Sequence, residues 1–158
     1  MAIIKTVEGK TPRWGKNCFI AENAVLTGDC ILGDDCSIWY SAVLRSDVDA
    51  IRCGNRVNVQ DCACIHQTGT MPCILEDDVS VGHGAIVHGA TVRKGALIGM
   101  NATVLDKADI SYKNMATIIR QSYIDRIETY LGKDGTLSFH LEYGGTYARS
   151  FNHISLSS

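Results

Sequence analysis

A period of six restricts the fold of this chain more than any other feature. From Ile20 the sequence divides as "IAENAV LTGDCI LGDDCS IWYSAV LRSDV". Each unit opens on an aliphatic residue: Ile20, Leu26, Leu32, Ile38 and Leu44. Each carries a small residue in fifth place: Ala24, Cys30, Cys36, Ala42 and then Val48. After an irregular stretch the pattern resumes at Cys53, Val59 and Ile65, with Val57 and Ala63 in the fifth slot. A second irregular stretch, "HQTGTMPCI", precedes Leu75, Val81 and Val87. A five-residue step then leads to Val92, Ile98, Val104 and Ile110, with Ala96, Ala102 and Ala108 in the small slot. Among the unit starts only Cys53 is not Ile, Leu or Val.

A helix requires a period of 3.6 and a simple strand a period of 2. Six instead fits a mainly β architecture, a parallel β-helix in which every unit is one short strand and one turn. The aliphatic residue fills the interior and the small one sits inside beside the turn. Gly at second positions (Gly33, Gly54, Gly82, Gly99) supplies turn freedom. Three units per coil give about five coils. Residues 1–19 then cap the open end, residues 20–114 form the coils, and residues 115–158 form a C-terminal helix and an atypical tail. Asn114 is placed to cap a helix over Met115–Leu131, with Gly132 as its stop. "TLSFHLEY" and "TYARSF", on either side of Gly144-Gly145, read as a hairpin.

Composition narrows the function classes. A net charge of −2 gives no reason to expect a nucleic-acid partner. No apolar run reaches the roughly 18 residues of a membrane span, and "MAIIKTVEGKTPRWGK" lacks the apolar core of a signal peptide. A soluble, cytoplasmic protein with no membrane partner is expected. The 7 Cys are an odd number without zinc-ribbon spacing, so free thiols are expected rather than a disulfide framework. Cys30, Cys36 and Cys53 read as small interior hydrophobes. Cys62, Cys64 and Cys73 lie near the histidines discussed next.

His140 and His153 read as surface residues of the tail. The other three histidines fall in "NVQDCACIHQTGTMPC" and "VGHGAIVHG". His66 and His88 are both second in their units and lie three units apart, so they share a face in adjacent coils. Strands there are ~4.8 Å apart, and imidazoles so stacked can share one metal at roughly 2.0–2.1 Å per bond. Arg45 precedes them in the same column. His83 is third in its unit and points from the adjacent face, with Asp61 below it and Gln60 beside that. A neighbouring chain supplies the third ligand most simply, which predicts a site shared within a cyclic oligomer, a homotrimer being the simplest. Trp39 and Tyr40 are expected to pack on a face or an interface.

"SIWYSAVLRSDVDAI", "NVQDCACIH", "VGHGAIVHGATV" and "ALIGMNATVLDKA" resemble the γ-class carbonic anhydrases of the hexapeptide-repeat, left-handed β-helix superfamily. L-R-x-D, N-x-Q-D-x-x-x-x-H and V-G-H-x-A-x-x-H-G occur in that order over roughly residues 10–110. The left hand is implied by the resemblance, since the general crossover rule favours a right hand. The resemblance also implies that His66, His83 and His88 hold Zn²⁺, with Fe²⁺ or Co²⁺ suiting the same imidazoles. Arg45 and Asp47 would organise the subunit interface, Gln60 would hydrogen-bond metal-bound solvent, and Asp61 is its acidic neighbour. The implied reaction is hydration of CO₂ to bicarbonate by a metal-activated hydroxide.

Several positions depart from the family pattern. Gly69-Thr70-Met71-Pro72 contains no acid where some active members place a proton-shuttling Glu. Val48 stands where they have a carboxylate, and Ser46 replaces the usual Gly of L-R-G-D. Beyond Ile110 the hexads stop. Competing functions are a CoA-dependent acyltransferase or acyl-CoA thioesterase, and a non-catalytic metal-binding trimer.

Overall fold

The computed structural model describes residues 1–111 and two further strands, 137–139 and 151–154. The hexads wind into a parallel β-solenoid with three faces and five coils. The first face stacks β1 (Ile3–Lys5), the first half of β4 (Val25–Leu32), the first half of β6 (Val43–Cys53), β8 (Cys64–His66), β11 (Ile86–His88) and β14 (Thr103–Val104). The second stacks β2 (Arg13–Trp14), the later halves of β4 and β6, β9 (Cys73–Leu75), β12 (Thr91–Val92) and β15 (Asp109–Ile110). The third stacks β3 (Phe19–Ile20), β5 (Ser37–Ile38), β7 (Asn58–Val59), β10 (Ser80–Val81) and β13 (Leu97–Ile98). Thus β4 and β6 turn the corner between the first and second faces without a break.

The core follows the hexad. Every unit start from Leu26 to Ile110 is buried, and Ile20 packs against them. The fifth-position residues Ala24, Cys30, Cys36, Ala42, Val57, Ala63, Ala96 and Ala102 are buried, and Ala108 packs on the core. Val48 is the exception, being 55% exposed. The chain takes three residues more than a hexad between Leu44 and Cys53, so Ile51 fills the interior slot instead. Ile51 stands between Cys30 and Cys73.

The turn glycines also act differently from expectation. The left-handed residue of the turn is in fourth place: Asp35, Ser41, Arg56, Cys62, Asp78, Asn101 and Lys107 all have φ of 57–66°. Few of these are the Gly or Asn that favour that region. Of the second-position glycines, Gly33, Gly54 and Gly82 are required by close approach, whereas a Cβ on Gly99 would meet nothing within 4 Å. A Cβ on Gly54 would lie 2.3 Å from Asp77 Oδ1, and one on Gly33 2.5 Å from Asn55 Oδ1. Those side chains accept backbone N–H groups from the coil before: Asp77 from Asn55 and Asn55 from Asp34, each at 2.8 Å.

All seven cysteines are free thiols. Burial pushes Cys30 and Cys73 up to about 12, and raises Cys53 well above the usual thiol range. Trp39 and Tyr40 remain partly exposed beside Phe19, with ring centroids 5.1 and 6.5 Å from it.

The chain divides into two compact units, Met1–Ile119 and Arg120–Ser158. In the second, β16 (Leu137–Phe139) pairs antiparallel with β17 (Phe151–Ile154). This hairpin's second strand lies later than most of "TYARSF". The helix expected over Met115–Leu131 lies outside the described residues, as do the side chains of His140 and His153. Among the described residues no helix is long and apolar enough to cross a membrane.

Candidate metal centre

Strand pairing places His66 opposite His88 on β8 and β11. Leu44 pairs with Ile65, so Arg45 continues the column one coil earlier. The two imidazoles sit with centroids 5.0 Å apart, and His66 Nδ1 lies 3.0 Å from His88 Nε2. The other nitrogen of each ring meets a carboxylate. His66 Nε2 lies 3.2 Å from Asp47 Oδ1, and His88 Nδ1 lies 2.6 Å from Asp106 Oδ1.

These contacts bear on the tautomers of the pair. If each ring donates its N–H to its carboxylate, the two remaining nitrogens present lone pairs to each other. Facing lone pairs repel unless a cation lies between them. Two imidazoles on a tetrahedral ion with 2.0–2.1 Å bonds have nitrogens ~3.3 Å apart, close to the separation found. Carboxylates that orient the far nitrogen are the usual support of metal-binding histidines. The donor set therefore fits a divalent metal.

The surroundings favour neutral imidazole. Burial, and secondarily Arg45 and His88, hold the His66 imidazole below its ordinary value, although Asp47 opposes the shift. Desolvation raises Asp47, but hydrogen bonds from Arg45, its own backbone N–H and His66 outweigh it and leave that carboxyl below its usual range. Arg45 pairs with Asp47, so its charge is already engaged.

His83 stands elsewhere. It follows β10 on the third face, is 51% exposed at the side chain, and pairs with Asp61 at 2.9 Å. The turn backbones stack in the order Tyr40, Asp61, His83, through Cys62 N to Tyr40 O and Gly84 N to Asp61 O. Gln60 lies beside Asp61 after β7, away from the His66 column. Thus Arg45, Asp47, His66 and His88 are brought together, while Gln60, Asp61 and His83 form a second group. Among the described residues of one chain, no three His, Cys, Asp or Glu side chains converge as a metal-binding group.

Two participants escaped the reading of the sequence. Asp106 is third in its unit and His88 second, so a strict hexad keeps them in different columns. The Asp106 side chain instead reaches back to the coil before, as that of Asp77 does, and Gly89 leaves it room, since an added Cβ there would lie 2.3 Å from its Oδ1. Gln67 follows His66, is fully buried, and donates from Nε2 to the Asp49 carbonyl at 2.6 Å.

Several known proteins are similar to this chain. The bacterial transferase hexapeptide (six repeats) family profile matches residues 15–46. A carbonic anhydrase of Geobacillus kaustophilus (strain HTA426) is 47% identical over 108 residues, 68% of this chain and 59% of that protein. The mitochondrial gamma carbonic anhydrase 2 of Arabidopsis thaliana is 40% identical over 109 residues, 65% of this chain and 39% of that protein. A Bacillus cereus crystal structure, assigned as an acetyltransferase, superposes with a TM-score of 0.65 at 29% identity, covering 97% of this chain and 84% of that one. The fold and repeat define a hexapeptide-repeat β-solenoid. Within that class the chain is similar to γ-class carbonic anhydrases. It spans less than two thirds of the length of these two carbonic anhydrases.

Proposed function

We propose that this protein is a metal-dependent lyase that hydrates CO₂ to bicarbonate at sites shared between subunits of a cytoplasmic homotrimer. One observation carries the reading: His66 and His88 turn their far nitrogens to carboxylates and their near nitrogens to each other at 3.0 Å. In this reading they hold the ion from one subunit and His83 holds it from a neighbour. When bound, Zn²⁺, Fe²⁺ or Co²⁺ would supply Lewis acidity that brings the ionisation of water close to neutral pH.

The chain's own residues do the rest. Asp47 and Asp106 keep the His66 and His88 protons away from the ion's side of each ring. Asp61 does the same for His83. Arg45 holds Asp47 ionised. Gln60, beside Asp61, orients the small polar product. His83 and His88 occupy one coil, as do Asp61 and His66, so a neighbour related by a threefold axis along the solenoid presents His83 near the level of the histidine pair.

A second reading, acyl transfer from a CoA thioester, is favoured by the name of the matching repeat family and by the Bacillus cereus structure. It needs one histidine as a base and no ion. Metal analysis of anaerobically purified protein, with CO₂ hydration measured for wild type and His83→Ala, separates the two. The proposal predicts stoichiometric metal and hydration, both lost in His83→Ala. Metal-free wild-type protein would refute it, and so would a stable monomer in light scattering.

A further inference from the structure

We infer that Ser46 and Gln67 form a two-sided clamp on the Asp49 carbonyl, and that this clamp positions Asp47 against His66. Neither residue touches the space between the histidines, so both are positioning residues. The inference rests on the reading of His66 as a ligand.

The chain leaves the hexad between Ser46 and Ile51. Pairing of β4 with β6 runs in step to Gly28 opposite Ser46, then jumps to Cys30 opposite Ile51. The excursion carries Asp47, whose Oδ1 meets His66 Nε2. A loop of this kind holds a carboxylate in place only if it is itself pinned. Ser46 pins it from one side: its hydroxyl donates to the Asp49 carbonyl at 2.6 Å and accepts from Ile51 N at 3.1 Å. Gln67 pins it from the other side, its Nε2 donating to the same carbonyl at 2.6 Å. Gly28 permits the approach, since a Cβ there would lie 1.8 Å from Ser46 O.

The burial of these two residues makes the arrangement informative. Ser46 and Gln67 are the buried polar residues of the described chain, at 3% and 0% exposure. Gln67 points inward after Ile65 and His66, a direction in which the solenoid elsewhere places apolar side chains. Its Oε1 is buried with no hydrogen-bond partner. An orphaned acceptor destabilises a fold, so stability alone does not account for an amide here; its Nε2 contact with the loop does. His66 and Gln67 are consecutive, and they grip Asp47 and Asp49 of the same excursion, one from outside the coil and one from within.

The test uses the full chain, metal-free and ¹⁵N-labelled, at one pH above the range where imidazole titrates. Long-range ¹H–¹⁵N spectra report the tautomer of each ring. Wild type is expected to show His66 as a single Nε2–H tautomer. Gln67→Met keeps similar bulk and removes the donor; Ser46→Ala removes the opposite one. Each should give a mixture of His66 tautomers with His83 unchanged, and each should weaken Zn²⁺ binding by ~10–100-fold, the usual effect of losing outer support of a ligand. Gln67→Met should melt no lower than wild type, because the orphaned acceptor is gone. An unchanged His66 tautomer in both variants would overturn the clamp. A simultaneous change at His83 would also overturn it, since that marks general loosening. Ser46→Ala carries the test alone if Gln67→Met does not fold. A clamp-dependent tautomer in a wild type that binds no metal would refute the proposed function and leave the clamp standing.

Discussion

The third face and the corner between the first and second faces are built from the same repeat yet behave differently. On the third face, every step into and out of β5, β7, β10 and β13 keeps the hexad, and the turn after each closes on a left-handed fourth residue: Ser41, Cys62, Gly84 and Asn101. At the other corner the chain inserts three residues after Ser46 and four after His66, and drops one after Val87. Both extensions and the shortened step border His66 and His88. Regular coils supply a rigid frame, and departures from regularity place polar groups on it, as bulges in sheets often do near active sites.

The largest expected effects fall in the frame. Ile38→Ala, on the third face, should cost about 2–5 kcal/mol through the cavity it leaves, read from denaturant midpoints. A cost below ~1 kcal/mol would mean the frame is soft.

Glycine substitutions sharpen the contrast. Gly54→Ala drives a Cβ into Asp77 Oδ1 and backbone and should cost about 1–3 kcal/mol. Gly69→Ala, in the longer extension, meets only Val48 Cγ1 at 3.4 Å and should stay within ~0.5 kcal/mol. Equal losses would erase the distinction between frame and corner.

At the corner the effects should be chemical rather than structural. Asp106→Asn keeps the shape but removes the negative charge that accepts from His88 Nδ1. It should weaken metal binding ~10–100-fold while leaving the melting temperature nearly unchanged. A large drop in melting temperature would make Asp106 part of the frame.

Acidification gives a smaller effect. Burial lowers His66, so as pH falls the unfolded chain takes up its proton first. His66 neutrality therefore contributes full stability above the ordinary histidine value of about 6.5, and that contribution is lost as pH falls through 6.5 toward the folded value. Metal-free wild type should lose stability across that window more than His66→Asn. Identical pH curves would contradict the burial of a neutral ring. The smallest effect concerns the thiols: at pH 8 a thiol reagent should modify exposed Cys62 readily and Cys30, Cys53 and Cys73 only on unfolding, because burial holds those three protonated.

The period of six made the frame legible, because one buried side chain per unit leaves a periodic trace. It also made the column of Arg45, His66 and His88 legible, since residues three units apart coincide. Asp106 was hidden because its side chain crosses from one column to the next, which a count of positions does not report. Gln67 was hidden because inward or outward direction inside an extension has no period. Ser46 reads as a small replacement of glycine, whereas its hydroxyl bonds the Asp49 carbonyl and Ile51 N. Val48 holds a fifth place by count yet is exposed, because the excursion shifts the register.

The division of histidines between the corner column and the third face is the central claim, and subunit mixing tests it most directly. His66→Ala and His83→Ala, each inactive alone, are unfolded together and reassembled at equal amounts. A shared site predicts recovery of CO₂ hydration to about a quarter of wild type, because a subunit retaining His66 then meets a neighbour retaining His83 in about one junction of four. Activity that stays at the level of the separate variants, in mixed trimers shown by mass to contain both chains, would contradict it.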